Sequence, residues 1–286
     1  MKWILLSLSV ISLNVRAIVI RDDVADKKYL ADSNDFKALA TFYIDGAHGT
    51  LIKPNWVLTA AHTTFCLQEG SNISINDQLI PIEQVYIHND YQPGISHDIA
   101  LLKLSRPIIE VEPATVYSKN DEQGKSVWFI GVGGTGNGLT GQTVDNYDNA
   151  GVLRKAQNVV ESVDNALIKF KFDSGVNALS LEGVSGSGDS GSPAYFTEDN
   201  KTYIIGISSR VEGGNIGKYG ITEVYSRVSF FEPWIKSVIN SDEASRKNVS
   251  IEKLKGLPAG LTPQNLKMVC DDIGLTKTSK QSRAKI

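Results

Sequence analysis

From Ile18 to Asn240 the chain is a succession of short apolar runs, each broken within a few residues by Gly, Asn, Asp or Pro. Thr41-Phe42-Tyr43-Ile44, Trp56-Val57-Leu58, Val127-Trp128-Phe129-Ile130, Ala166-Leu167-Ile168-Lys169-Phe170 and Tyr203-Ile204-Ile205-Gly206-Ile207 are examples. Many are β-branched or aromatic, the side chains that pack well on a pleated, half-buried surface. Few long stretches show helical periodicity. Runs of this length and spacing predict an all-β sandwich or barrel. At 286 residues the chain is long enough for one large domain or two small ones with real cores.

Three local motifs carry chemistry. Gly188-Asp189-Ser190-Gly191-Ser192-Pro193 sets a serine between glycines. Glycine tolerates backbone angles that let such a turn aim its N–H groups at one point, where an oxyanion can be stabilised. Thr59-Ala60-Ala61-His62 follows an apolar run, and Asp98-Ile99-Ala100-Leu101-Leu102-Lys103-Leu104 lies between the two. Serine is a weak nucleophile until a base takes its proton, and an imidazole does that near neutral pH. A carboxylate would hold the imidazole in the right tautomer. Taken singly, each residue reads more simply as a loop serine, a cap or turn aspartate, or a half-buried histidine. The joint order His62, Asp98, Ser190 is what makes a catalytic reading.

That constellation resembles the trypsin-like (chymotrypsin-fold) serine peptidases, and the likeness runs over about residues 18–240. Gly49-Thr50-Leu51-Ile52 is similar to the strand before the histidine, Val224-Tyr225-Ser226-Arg227-Val228 to the last barrel strand, and Phe231 to Ile239 to a closing helix. The resemblance implies two six-stranded antiparallel β-barrels with the active site in the cleft between them. The first barrel would take about residues 18–118 and the second about 119–240, with the crossover near 112–124. It implies His62 as base, Asp98 as its orienting acid, Ser190 as nucleophile and the N–H groups of Gly188 and Ser190 as oxyanion hole. Ser209, with Ser208 beside it, matches a serine that supports the aspartate and borders the pocket. Val184, Val211 and Glu223 fall at the remaining positions of the primary substrate pocket. Val184 is apolar where a carboxylate would select Lys or Arg. Glu223 either reaches into the pocket to receive a basic side chain or turns away from a narrow apolar one, and we favour the first. Asp189 would receive the α-ammonium of a new N-terminus starting Ile18-Val19, although Ile20-Arg21 stand where the family has glycines.

The implied activity is that of a serine endopeptidase working through an acyl-enzyme on peptide or protein substrates. A non-catalytic binding protein on the same fold and an esterase with the same triad are the alternatives. Lys2, the apolar run Trp3 to Leu13 and the small residue Ala17 read as a signal peptide over residues 1–17, which predicts a secreted or periplasmic protein with no membrane anchor in the mature chain. Net charge is −3, so nothing points to nucleic acid. The two cysteines, Cys66 and Cys270, are candidates for one disulfide; Thr63 and Gly186 stand where relatives carry others. Asn72, Asn200 and Asn248 head glycosylation sequons, meaningful only in a cell that glycosylates.

Residues 241–286 form a basic tail, with nine Lys or Arg against five Asp or Glu. One short helix is expected there: Thr262-Pro263 start it, Leu266, Val269, Cys270 and Ile273 share a face, and Gly274 ends it. Lys277 to Ile286 is polar and reads as a frayed end. Gly131-Val132-Gly133-Gly134-Thr135-Gly136 mimics a dinucleotide fingerprint, but Asn137-Gly138-Leu139-Thr140-Gly141 does not open a helix. Asn146 to Gln157 mimics a calcium loop with Ala150 and Gln157 at ligand positions. No His-Glu-x-x-His or Cys-x-x-Cys occurs, so neither metal nor cofactor is expected, and His48, His88 and His97 are read as structural.

Overall fold

The short runs close into two barrels. The computed structural model describes residues 18–149, 151–258 and 260–276, so residues 1–17, read above as a signal peptide, Ala150, Ala259 and the end from Lys277 lie outside the described residues. The first barrel is built from β1 (Leu39–Tyr43), β2 (Gly46–Lys53), β3 (Trp56–Thr59), β4 (Asn72–Ile75), β5 (Gln78–His88) and β6 (Ala100–Leu104). The second is built from β7 (Ser126–Gly131), β8 (Arg154–Asp164), β9 (Leu167–Lys171), β10 (Pro193–Glu198), β11 (Lys201–Glu212) and β12 (Thr222–Arg227). The first sheet closes through β5–β6 pairing and the second through β10–β11 pairing. Around each barrel the strands run first, second, third, sixth, fifth, fourth, so the two halves share one topology. Closure leaves the barrels without the open edges that invite aggregation.

Short segments add to these barrels. Ser250–Ile251 pairs with the end of β5, setting Ser250 opposite His88. Thr115–Val116, in the crossover, runs parallel to β11. Ile18–Ile20, counted with the first barrel from sequence, pairs instead with segments of the second half. It runs parallel to Thr135–Asn137 and antiparallel to Gly183–Val184. Its three side chains are buried, which is why so apolar a triplet lies inside rather than on a barrel rim.

Helix α1 (Val228–Asn240) leaves the last strand of the second barrel and buries Phe231, Trp234, Ile235 and Val238 in the core of the first. Burial of such side chains contributes about 1.5–3 kcal/mol each, so the helix ties the halves together. The tail differs from expectation. It holds two helices, α2 (Glu243–Val249) and α3 (Pro263–Ile273). α2 has no buried residue and hence no apolar stripe to read in the sequence; Asp242 caps it by accepting the Ser245 N–H. α3 starts at its Thr262 capping box as expected and docks on the first barrel. Ile44 N–H donates to Ile273 O at 2.9 Å, and a Cys66–Cys270 disulfide spans 5.3 Å between Cα atoms.

Candidate active site

The catalytic candidates come from loops of both barrels. His62 sits on a 3-10 turn, Ala61–Cys66, directly after β3, and Asp98 precedes β6. β3 and β6 pair, with Thr59 opposite Ala100, so the two loops emerge side by side. His62 Nδ1 lies 2.7 Å from Asp98 Oδ2, and the His62 backbone N–H donates to Asp98 Oδ1 at 2.9 Å. Ser209 Oγ donates to Asp98 Oδ2 at 2.7 Å, and Ser226 Oγ to the Asp98 carbonyl at 2.8 Å. The choice between Ser208 and Ser209, open in the sequence, falls to Ser209. A bulge interrupts the β11–β12 register between Ser208 and Arg210, and such a bulge re-aims a side chain. Burial pulls the His62 imidazole down, but the Asp98 charge and hydrogen bond outweigh it, so the net shift is upward. Burial alone would raise Asp98; His62 and Ser209 reverse this and hold it below the usual carboxylate value.

Ser190 lies on the loop between Gly183–Val184 and β10, and its carbonyl accepts the N–H of His48 at 2.8 Å. No hydrogen bond joins Ser190 Oγ to the His62 ring in this structure, a contact that commonly tightens only with substrate bound. Gly188 and Gly191 take φ of 88° and 76°, where glycine is favoured. A side chain at Gly191 would run into the His48 carbonyl and Thr59 Oγ1. Among the described residues, the N–H groups of Gly188 and Ser190 donate to no protein acceptor, so both remain available to a ligand. The first barrel braces this loop, since Ala47 N–H donates to Gly188 O at 2.7 Å.

Asp189 is fully buried. Gly133 N–H donates to its Oδ1 at 2.7 Å and Gly186 N–H to its Oδ2 at 2.8 Å. Burial outweighs these bonds and pushes the acid up to about 7. The glycine run that mimicked a dinucleotide fingerprint is the cradle of this carboxylate: a Cβ at Gly131 or Gly133 would collide with it. Thr135 Oγ1, two residues beyond Gly133, donates to the Ile18 carbonyl at 2.8 Å. The calcium-loop mimic likewise has another use. Asn146 Nδ2 donates to Asp45 O, and Arg154 to Gln157 belong to β8.

The pocket candidates divide. Val184 is buried with Val19, Phe172 and Ile221, and Val211 packs against that cluster. Glu223 pairs with Val211 across β11–β12, is 1% exposed, and its Oε1 has no hydrogen-bond partner. Burial and then the neighbouring Asp189 charge push this acid well above the carboxylate range, with Ser185 offsetting part of the shift. His48 carried no motif, yet it stands between the barrels. Its Nε2 accepts the Val132 N–H at 3.2 Å and lies 3.8 Å from Asp189 Oδ1. Thr63, found where a cysteine is common, hydrogen-bonds Ala60 O and Thr59 Oγ1, and Thr59 Oγ1 in turn bonds His48 O.

Residues 28–235 match the family model described as Trypsin. The chain belongs to the trypsin family. Over 225 residues it is 29% identical to chymotrypsin-like elastase family member 1 of Felis catus, a match covering 68% of this chain and 79% of that relative. Over 225 residues it is 28% identical to an ovochymase of Halocynthia roretzi, covering 67% of this chain but 13% of that much longer relative. The two closed barrels are the fold that the sequence resemblance implied. No described helix of this trypsin-family chain is long and apolar enough to cross a membrane.

Proposed function

We propose that this chain is an exported serine endopeptidase that cleaves peptide bonds through an acyl-enzyme on Ser190. The observation that carries the reading is the His62–Asp98–Ser209 hydrogen-bond chain, set beside a glycine-flanked serine whose loop keeps two N–H groups free. His62 takes the Ser190 proton as Oγ attacks the substrate carbonyl, and Asp98 stabilises the imidazolium that forms. The Gly188 and Ser190 N–H groups receive the developing oxyanion. His62 then returns the proton to the leaving amine, and water repeats the sequence to release the acyl group. The disulfide and the apolar start of the chain support export.

The N-terminal switch belongs to the same reading. Asp189 is buried and, among the described residues, accepts hydrogen bonds from two backbone N–H groups, an environment suited to an incoming ammonium from Ile18. For specificity, Glu223 is the candidate reader of Lys or Arg, because its carboxylate is buried with one oxygen unpartnered.

The test of the reaction is turnover of a peptide library by the purified protein and its Ser190→Ala variant. Loss of the nucleophile is expected to lower peptide turnover by several orders of magnitude while leaving the folded state intact. Equal turnover by the variant would overturn the reading, and cleavage of esters alone would favour the esterase.

A further inference from the structure

Away from the candidate catalytic centre, the connection between β5 and β6 gathers His88, Asp90 and His97. One ring nitrogen of each histidine and one carboxylate oxygen of Asp90 lie within 4.8 Å of one another. We propose that these three residues form a binding site for a divalent cation of the zinc class, completed by water.

The donor set points to that class. Two imidazoles and one carboxylate suit zinc and its borderline neighbours, whereas calcium and magnesium take oxygen ligands. Both rings also make local hydrogen bonds. Asp90 N–H donates to His88 Nδ1 at 3.1 Å, and Ser96 Oγ lies 2.9 Å from His97 Nδ1. The Ser96 contact fixes the His97 ring, whereas His88 Nδ1 is an acceptor, so Nε2 carries the ring proton and the ion would take the Nδ1 lone pair in place of the Asp90 N–H. His97 adopts φ of 56°, a left-handed conformation uncommon for a non-glycine residue, and this brings its ring centroid to 4.8 Å from that of His88.

Phe231 and Trp234 of α1 cover the His88 ring at centroid distances of 5.5 and 5.1 Å. They form an apolar wall behind the cluster, while exposed Asp90 opens it to solvent. Aromatic packing accounts for one buried and one half-buried ring but not for a carboxylate gathered beside them. A tetrahedral zinc site, with Zn–N near ~2.0 Å, needs ligand atoms about 3.3 Å apart, so closure by about 1.5 Å at most is required. Rotation of the exposed Asp90 side chain and the half-buried His97 ring supplies it.

The ion would join the end of β5 to the residue before Asp98. That segment is already tied to β5, since His88 N–H donates to Ile99 O at 3.2 Å. Occupancy would therefore stiffen the strand connection that carries the triad acid. The spacing in sequence hides the site, because Asp90 and His97 meet only when the connection folds back through its Gln92–Ser96 bridge.

The test is calorimetric titration of the full, untagged, chelator-treated protein with zinc chloride, paired with thermal melts. One zinc ion bound with micromolar affinity and a rise in melting temperature are expected. Asp90→Asn and His97→Asn should each weaken binding about tenfold or more. His88→Asn should do the same; because His88 is buried, its melt without zinc is recorded first, and exposed Asp90 carries the test if that variant does not fold. His62→Ala should bind zinc as the parent does. No saturable binding at micromolar zinc would overturn the proposal. So would unchanged affinity in the Asp90 and His97 variants, or loss of binding in His62→Ala alone, which would put the ion on the triad.

Discussion

His62 is subject to two opposed effects, burial that favours its neutral form and an Asp98 carboxylate that favours its charged form, and the second prevails. As a base it must be neutral, so activity should be lost as pH falls through its raised value. The acidic limb of kcat/KM is expected above the ordinary histidine value of about 6.5, and a pH–rate profile with a limb centred below that value would count against the assignment. Glu223 carries the specificity reading at this scale. Burial and then the Asp189 charge hold its acid well above the carboxylate range, and a substrate Lys or Arg would favour its ionised form. Glu223→Gln should then reduce cleavage after Lys and Arg by roughly tenfold to a hundredfold relative to cleavage after apolar residues, the worth of a charge-assisted bond of about 1.5–3 kcal/mol. Equal losses on both substrate types would show that Glu223 does not read the substrate. His62, Asp98 and Ser190 were legible in the sequence because each sits in its own local motif. His48 was not, since its role between Val132 and Asp189 exists only where two barrels meet.

Elements decide what residues alone leave open. The Ser208–Arg210 bulge chooses Ser209 over its neighbour, and no periodicity announces a bulge of one residue. Helix α3 was legible from Thr262-Pro263 and its apolar face, whereas α2 buries nothing and leaves no pattern. The Ile18–Ile20 strand shows the same division. Its apolar content marks a buried strand, but its pairing with Thr135–Asn137 and Gly183–Val184 is visible only in the fold. An ammonium at Ile18 would lower the acid that burial pushes up to about 7, and the pair would fail only as pH rises past the amine's own raised value. N-terminal sequencing of active protein is expected to return Ile18 first; activity in a protein starting elsewhere would exclude this pairing.

At the scale of the molecule, two barrels of one strand order are joined by hydrogen bonds such as Ala47 N–H to Gly188 O and Ser226 Oγ to Asp98 O. The first carries His62 and Asp98, the second Ser190, Gly188 and the Ser209 that bonds Asp98. α1 and the Cys66–Cys270 bridge then bind distant parts of the chain to the first barrel. Strand composition made an all-β fold legible, and the order of the three motifs made the two-barrel form legible through resemblance. Closure and the contacts across the junction were not, because they pair residues far apart in sequence. The central claim is that this junction activates Ser190. Treatment of the purified protein with a serine-directed phosphonylating probe, followed by peptide mass spectrometry, tests it most directly. The account predicts one adduct, on Ser190, absent from Ser190→Ala and strongly slowed in His62→Ala; no adduct, or an adduct on another serine with Ser190 untouched, would contradict it.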